Sequence, residues 1–155
     1  MIYFSRNLDS PQQVSALTLA LQSQAEEEPC PIPLFICVTQ EGGQVAGMRE
    51  HLTVAPSQAS IGIMGNPAQA KDWAIQMANS VKKMGVNVNL APVADLGSRA
   101  GRSYGTEAEQ VVPFVAAAVD GYAQSGVISV IKHFPGVGRA MNRLNCGKMN
   151  FKNNN

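Results

Sequence analysis

Four side chains stand where they could bind a polar ligand: Asp95, Arg102, Lys132 and His133. Lys132 and His133 follow directly on the apolar run Val127, Ile128, Val130 and Ile131, and Pro135, Gly136 and Gly138 then break the chain into a loop. An ammonium and an imidazole at the end of a buried strand can donate hydrogen bonds to a ligand. The plainer alternative is a solvated Lys132 and a His133 that closes over the core. Asp95 and Arg102 flank a polar, glycine-containing loop. A carboxylate accepts from two hydroxyls and a guanidinium donates to two acceptors, so the pair suits vicinal hydroxyls of a sugar, or equally a salt bridge that braces the loop. Glu41 is a second carboxylate just past a strand. Glycosidases commonly set two carboxyl groups about a scissile bond, but a lone Glu on a loop is as readily solvated or structural. Gly42-Gly43 beside it reads as a tight turn and not a phosphate cradle, because no helix start follows. His51 stands alone in a loop, and Trp73 and the methionines lie mainly on helix faces as packing residues.

The elements that must hold these groups alternate between two periods. Residues 1–5 look like the end of a strand. Ser10-Pro11 starts a helix by a cap and a proline at its first position, with Val14, Leu17 and Leu21 on one face. Pro29, Pro31 and Pro33 end it. Residues 34–38 are a second strand, and 45–63 form a long connection with room for one short helical turn. Asn66-Pro67 starts a second helix with a buried stripe of Ala70, Ala74, Met77 and Val81, closed by Gly85. Residues 86–90 alternate Val-Asn-Val-Asn-Leu as a third strand. Thr106 and Glu109 have the spacing of a capping box for a third helix, with Val112, Val115, Val119 and Tyr122 as its core face and Pro113 bending it. Residues 127–131 are a fourth strand, an apolar run of the kind covered on both faces. The order β-α-β-α-β-α-β predicts an α/β fold of parallel-strand βαβ units with right-handed crossovers. The polar residues gather past the ends of strands two, three and four, as at the mouth of a (β/α)8 barrel.

Composition sets limits on this. The 155 residues suffice for one domain with a core, and with 45% hydrophobic and 15% charged residues a disordered chain is excluded over most of the length. The formal net charge of +1 gives no reason to expect nucleic acid, although after Asp120 every charged residue is basic: Lys132, Arg139, Arg143, Lys148 and Lys152. Cys30, Cys37 and Cys146 are odd in number and lack CxxC spacing, which argues against a disulfide framework or a zinc site. Cys37 reads as a small core residue. There is no signal-peptide pattern and no apolar stretch of membrane-spanning length, so the expectation is a cytoplasmic chain. No dinucleotide or Walker pattern follows a strand, and no metal or cofactor is implied.

Four ordered motifs together resemble the N-terminal domain of glycoside hydrolase family 3, in particular its β-N-acetylhexosaminidases. They are TQEGG at 39–43, GVNVNLAPVAD at 85–95, GRSYG at 101–105 and KHFPG at 132–136. The resemblance implies a (β/α)8 barrel, a terminal β-linked N-acetylglucosamine as ligand, and Asp95, Arg102, Lys132 and His133 as the groups that hold its hydroxyls. It is followed from Ile2 to about Ala140, so residues 1–138 are read as a partial barrel domain and 139–155 as an unrelated, disordered tail.

The departures from the family pattern are specific. Thr39 replaces an Asp that contacts sugar, and Val137 replaces a second His. The sequence has no Asp-Ser-His of the kind that carries the family's acid/base, nor a later strand with the nucleophile. A retaining mechanism needs both. The expectation is a chain cut to about half a barrel, its Asn-rich end resembling a frameshift or misjoined gene end, that does not turn over alone and catalytic residues are therefore assigned to none of its positions. The alternatives are a non-catalytic sugar-binding module, a half-barrel that self-associates through open sheet edges, and a relative with another β-glycoside or phosphorolytic specificity.

Overall fold

The computed structural model describes residues 1–136 apart from 48, 50 and 98. The expected tail at 139–155, Val137 and Cys146 lie outside the described residues. Four helices and five short strands follow a 3-10 turn at Ser5–Asn7: α1 (Pro11–Glu26), β1 (Cys37–Val38), β2 (Gln40–Gly42), β3 (Val45–Ala46), α2 (Gln58–Ile63), α3 (Pro67–Lys82), β4 (Val88–Asn89), α4 (Ala108–Gln124) and β5 (Ile128–Ser129).

β1, β4 and β5 form a parallel sheet in that order, with Cys37 opposite Val88 and Val88 opposite Ile128. Ile2 adds a parallel bridge to Cys37 on one side, held by Tyr3 N–H to Cys37 O (2.9 Å) and Cys37 N–H to Met1 O (2.9 Å). Beyond β4 and β5, Val93 bridges Lys132 in parallel. The four strand positions therefore lie side by side in chain order, each joined to the next through helices, as the alternation of periods requires. The ladders are shorter than the five-residue runs in the sequence, and residues 1–5 contribute one bridge before the 3-10 turn.

Local signals hold at most helix starts. Ser10 accepts from Gln13 N–H ahead of Pro11, and Asn66 accepts from Ala68 N–H ahead of Pro67. The α3 stripe is buried as expected, with Ala78 added. Gly85 takes φ +76° and donates its N–H to Lys82 O (2.9 Å). The start of α4 differs. Glu107 is the N-cap and makes no side-chain cap bond, so the Thr106/Glu109 capping box is corrected. Gly97 N–H donates to Gly105 O (2.8 Å), which closes the preceding loop on itself, and the helix starts after it. The buried face turns accordingly to Val111, Phe114, Val115, Ala118 and Tyr122, and Val112 is 62% exposed. Gly121 lets α4 press on α3: a Cβ there would sit 2.5 Å from Lys71 O and 2.9 Å from the Ala74 methyl.

One further reading changes, and one is refined. The strand at 86–90 is present, but its alternation does not sort residues between core and solvent. Asn89 is fully buried and Asn87 half-buried, and both amides bond across to the neighbouring strand. Ile36 N–H donates to Asn87 Oδ1 (2.8 Å) and Asn87 Nδ2 donates to Leu34 O (2.9 Å). The apolar run at 127–131 is not covered on both faces. Val127 is buried, but Ile128, Val130 and Ile131 are 40–52% exposed. Among the described residues β5 is an edge strand, with β4 on one side only.

Candidate active site

The site lies past the C-terminal ends of β1, β4 and β5, where open parallel α/β sheets and barrels bind ligands. The functional side chains are set by four anchored segments, Lys132 and His133 sharing one. The segment carrying Glu41 is clamped to β4: Gln40 N–H donates to Asn89 Oδ1 (3.0 Å), and Asn89 Nδ2 donates to Gln40 O (2.8 Å) and to the Tyr122 hydroxyl (3.0 Å). Gln40 Oε1 accepts from Gly47 N–H (3.0 Å), which ties the β2–β3 hairpin. Gly42 and Gly43 make its turn with φ +93° and +54°, and a Cβ on Gly42 would meet Pro56 O at 2.8 Å. The pair is thus the tight turn read from the sequence.

Asp95 leaves a segment pinned by Gln58, whose side chain both donates to Val93 O (2.8 Å) and accepts from Val93 N–H (2.9 Å). Lys132 is locked to the same segment, its N–H donating to Pro92 O (3.1 Å) and its carbonyl accepting from Ala94 N–H (2.6 Å). Arg102 comes from the loop before α4. Ser103 Oγ lies 2.5 Å from Asp95 O and accepts from Gly105 N–H (3.2 Å), and Gly62 of α2 leaves space for this loop. A Cβ on Gly62 would fall 1.9 Å from Tyr104 O.

These segments bring the four predicted residues together with one that sequence reasoning passed over. Glu41, with 2% of its side chain exposed, takes Arg102 on both oxygens: Nε to Oε2 at 2.9 Å and Nη2 to Oε1 at 2.8 Å. Lys132 Nζ lies 2.5 Å from the same Oε1. His133 Nδ1 lies 2.6 Å from Asp95 Oδ2. A carboxylate only accepts, so the Nδ1 proton belongs to this bond, and among the described residues Nε2 is the ring nitrogen turned away from Asp95. Of the two sequence options for Arg102, the brace holds, but its carboxylate is that of Glu41. The side chain of Asp95 is 1% exposed and that of His133 is 36% exposed, so the imidazole stands outward of its carboxylate.

The charges follow from this geometry. Burial pulls the Glu41 carboxyl up, but hydrogen bonds from Arg102 and Lys132 and their positive charges outweigh it and hold it below the usual range. Burial pushes the Lys132 ammonium down, and Glu41 offsets this only in part. Glu41 raises Arg102 further, and Asp95 adds to that field. The outcome at neutral pH is a buried anion between two cations, next to a carboxylate–imidazole pair. This suits a neutral, hydroxyl-rich ligand that needs donors on one side and an acceptor beside them.

An apolar hollow of about 590 Å³ lies beside the site, between α4 and the segment after β4. Ala94, Leu96, Val111, Val115, Val119 and Ile131 are among its lining residues, and none of the five polar groups lines it. Among the described residues no helix is long and apolar enough to cross a membrane.

Comparison with known proteins agrees with this arrangement. The profile of the family described as Glycosyl hydrolase family 3 N terminal domain matches residues 1–153, a span that runs past the point to which the motifs were followed. The Beta-hexosaminidase of Stenotrophomonas maltophilia is 37% identical over 151 residues, covering 91% of this chain and 44% of that protein. Beta-hexosaminidase A of Pseudoalteromonas piscicida is 36% identical over 148 residues, 88% of this chain and 25% of its own. The chain thus spans between a quarter and under half of the curated relatives it matches. The family 3 beta-N-acetylglucosaminidase of Paenibacillus sp. superposes with a TM-score of 0.82 at 38% identity, over 87% of this chain and 27% of that one. NagZ from Neisseria gonorrhoeae in complex with N-trifluoroacetyl-D-glucosamine gives a TM-score of 0.79 at 28% identity, over 87% and 42%. The βαβ units are therefore those of a TIM-barrel domain, and the chain belongs to the glycosyl hydrolase family 3 N-terminal domain family.

Proposed function

We propose that the strand-end cluster binds the terminal N-acetylglucosamine of a β-N-acetylhexosaminide, and that the chain is part of a β-N-acetylhexosaminidase acting in carbohydrate or peptidoglycan turnover. The observation that carries this is the convergence of Arg102, from the loop before α4, and of Lys132 and His133, from the segment after β5, on two buried carboxylates, Glu41 and Asp95. Three donor-bearing groups in fixed positions can orient one sugar ring, and such orientation is a large part of what an active site supplies. Arg102 and Lys132 donate to ring hydroxyls. His133 offers Nε2, and Asp95 acts beneath it by fixing the imidazole.

Neither Glu41 nor Asp95 is assigned as nucleophile or proton donor. Both are engaged in ion pairs, and the retaining reaction requires a carboxylate free to attack and an acid free to protonate the leaving group. Calorimetry with N-acetylglucosamine tests the binding, and the expected result is saturable heat that Lys132→Ala removes. An aryl N-acetylglucosaminide assay tests the chemistry. No release above the Lys132→Ala control is expected from this chain alone, and release above it would overturn the assignment.

A second reading is favoured by the exposed apolar edge. Ile128, Val130 and Ile131 of the β5 region and the fully exposed Phe134 face outward beside the 590 Å³ hollow. We infer that this edge pairs with another sheet edge, the simplest source being a second copy of the chain. A compact dimer in sedimentation would support it, and a monomer at all concentrations would exclude it.

A further inference from the structure

We propose that Glu41 is the positioning residue of the site: its buried carboxylate fixes Arg102 and Lys132 in one arrangement and thereby aims their remaining N–H groups at the sugar. This rests on the sugar-binding reading above and adds to it Glu41, which from the sequence alone could equally be solvated or structural.

Arg102 has five N–H groups and Lys132 three. Glu41 takes two from the guanidinium and one from the ammonium, through both of its oxygens. A bidentate contact sets the plane of the guanidinium, so its other three N–H groups point away from Glu41. Lys132 keeps two donors, directed by the same oxygen. The cations are 18% and 16% exposed and Glu41 only 2%, so the anion lies behind and the donors in front. Glu41 is itself not free to turn, because Gln40 is clamped by Asn89 and the Gly42-Gly43 turn abuts Ala55 and Pro56.

The charged groups that face Lys132 are Glu41 from the β2 segment, Arg102 from the loop before α4 and Asp95 from the segment after β4, with His133 next to it in the chain. Arg102 disfavours its charge, while Glu41 and Asp95 favour it. Loss of the Glu41 charge leaves Lys132 half-buried beside an uncompensated guanidinium. Its ammonium then gives up a proton more easily and, as pH rises, loses its charge and one of its three N–H donors.

The test uses the full 155-residue chain with lysine labelled at Cε, followed by NMR titration, together with N-acetylglucosamine calorimetry from roughly pH 6 to roughly pH 10. In Glu41→Gln the Lys132 midpoint is expected to fall by at least about one pH unit relative to the wild-type chain. Sugar affinity is expected to fall about tenfold at neutral pH, as when an outer group that orients a ligating side chain is removed. It should then fall further as pH passes that midpoint, at a pH where the wild-type chain is still level. Glu41→Asp keeps the charge and is expected to restore the wild-type titration, which also covers the case of a poorly folded Gln variant. A Lys132 midpoint unchanged in Glu41→Gln, or an affinity lowered by one constant factor at every pH, would overturn the proposal. If the midpoint moves as expected but the wild-type chain binds no sugar, the positioning role stands and the sugar reading fails.

Discussion

Glu41 and Lys132 are bonded to each other, yet stability and binding should separate between them. Glu41 is buried and offsets two cations, so its removal leaves both uncompensated. Glu41→Gln is expected to cost about 1.5–3 kcal/mol at neutral pH in urea denaturation, the range for hydrogen bonds to charged groups. Because the folded carboxyl is held below its ordinary value of 4.5, the wild-type contribution is complete above that pH and is lost as pH falls through the lowered folded value. The acid limb of the wild-type stability curve should therefore be steeper than that of Glu41→Gln. Lys132→Met should behave differently. It removes a cation that burial disfavours and leaves Glu41 its bidentate Arg102. The expected stability change is under about 1 kcal/mol, with sugar binding lost in calorimetry.

The loop and helix contacts behind the site are decided by backbone proximity more than by side-chain chemistry. Gly62 is the sharpest case, since α2 meets the Arg102-bearing loop there with no room for a methyl group. Gly62→Ala must push the Tyr104 carbonyl away and carry Arg102 with it. The expectation is a loss of about 1–3 kcal/mol by thermal or urea denaturation, with weaker sugar binding as well. This close approach could not be read from the sequence, where residues 45–63 read as a long connection with room for one short helical turn. The asparagines of β4 are similar. Their alternation with valine is legible in the sequence, but whether an amide at such a position meets water or the next strand depends on what lies beside it. Here β1 lies beside it, and Asn89 sits at the centre of three bonds that fix Glu41's segment.

Over the molecule as a whole, the parallel sheet has its polar groups at one end and an apolar edge along β5. The proposed edge pairing predicts that Ile131→Lys combined with Phe134→Asp shifts sedimentation from dimer to monomer while leaving the fold intact, because both side chains are half to fully exposed. Charges on an edge strand are a common means by which sheets avoid such pairing. An unchanged sedimentation profile would count against that interface.

The sequence by itself determined the order of the parallel strands and their crossover helices, three of the helix faces and starts in part or whole, and the tight Gly42-Gly43 turn, and it offered as candidates the four polar residues that the fold brings near one another. All of these follow from signals within a turn or two of chain: a cap with a proline, a period of two or about 3.6, a charged residue just past an apolar run. The partners of those residues were decided by the tertiary structure alone. Glu41 and Arg102 are 61 positions apart, and Asp95 and His133 are 38 apart. Which carboxylate meets which cation depends on the register of β1, β4 and β5 and on how closely α2 lets the Arg102 loop approach. Local sequence does not encode those distances, and Glu41, a carboxylate past a strand whose partners no local signal names, became the centre of the cluster because three strand ends meet around it.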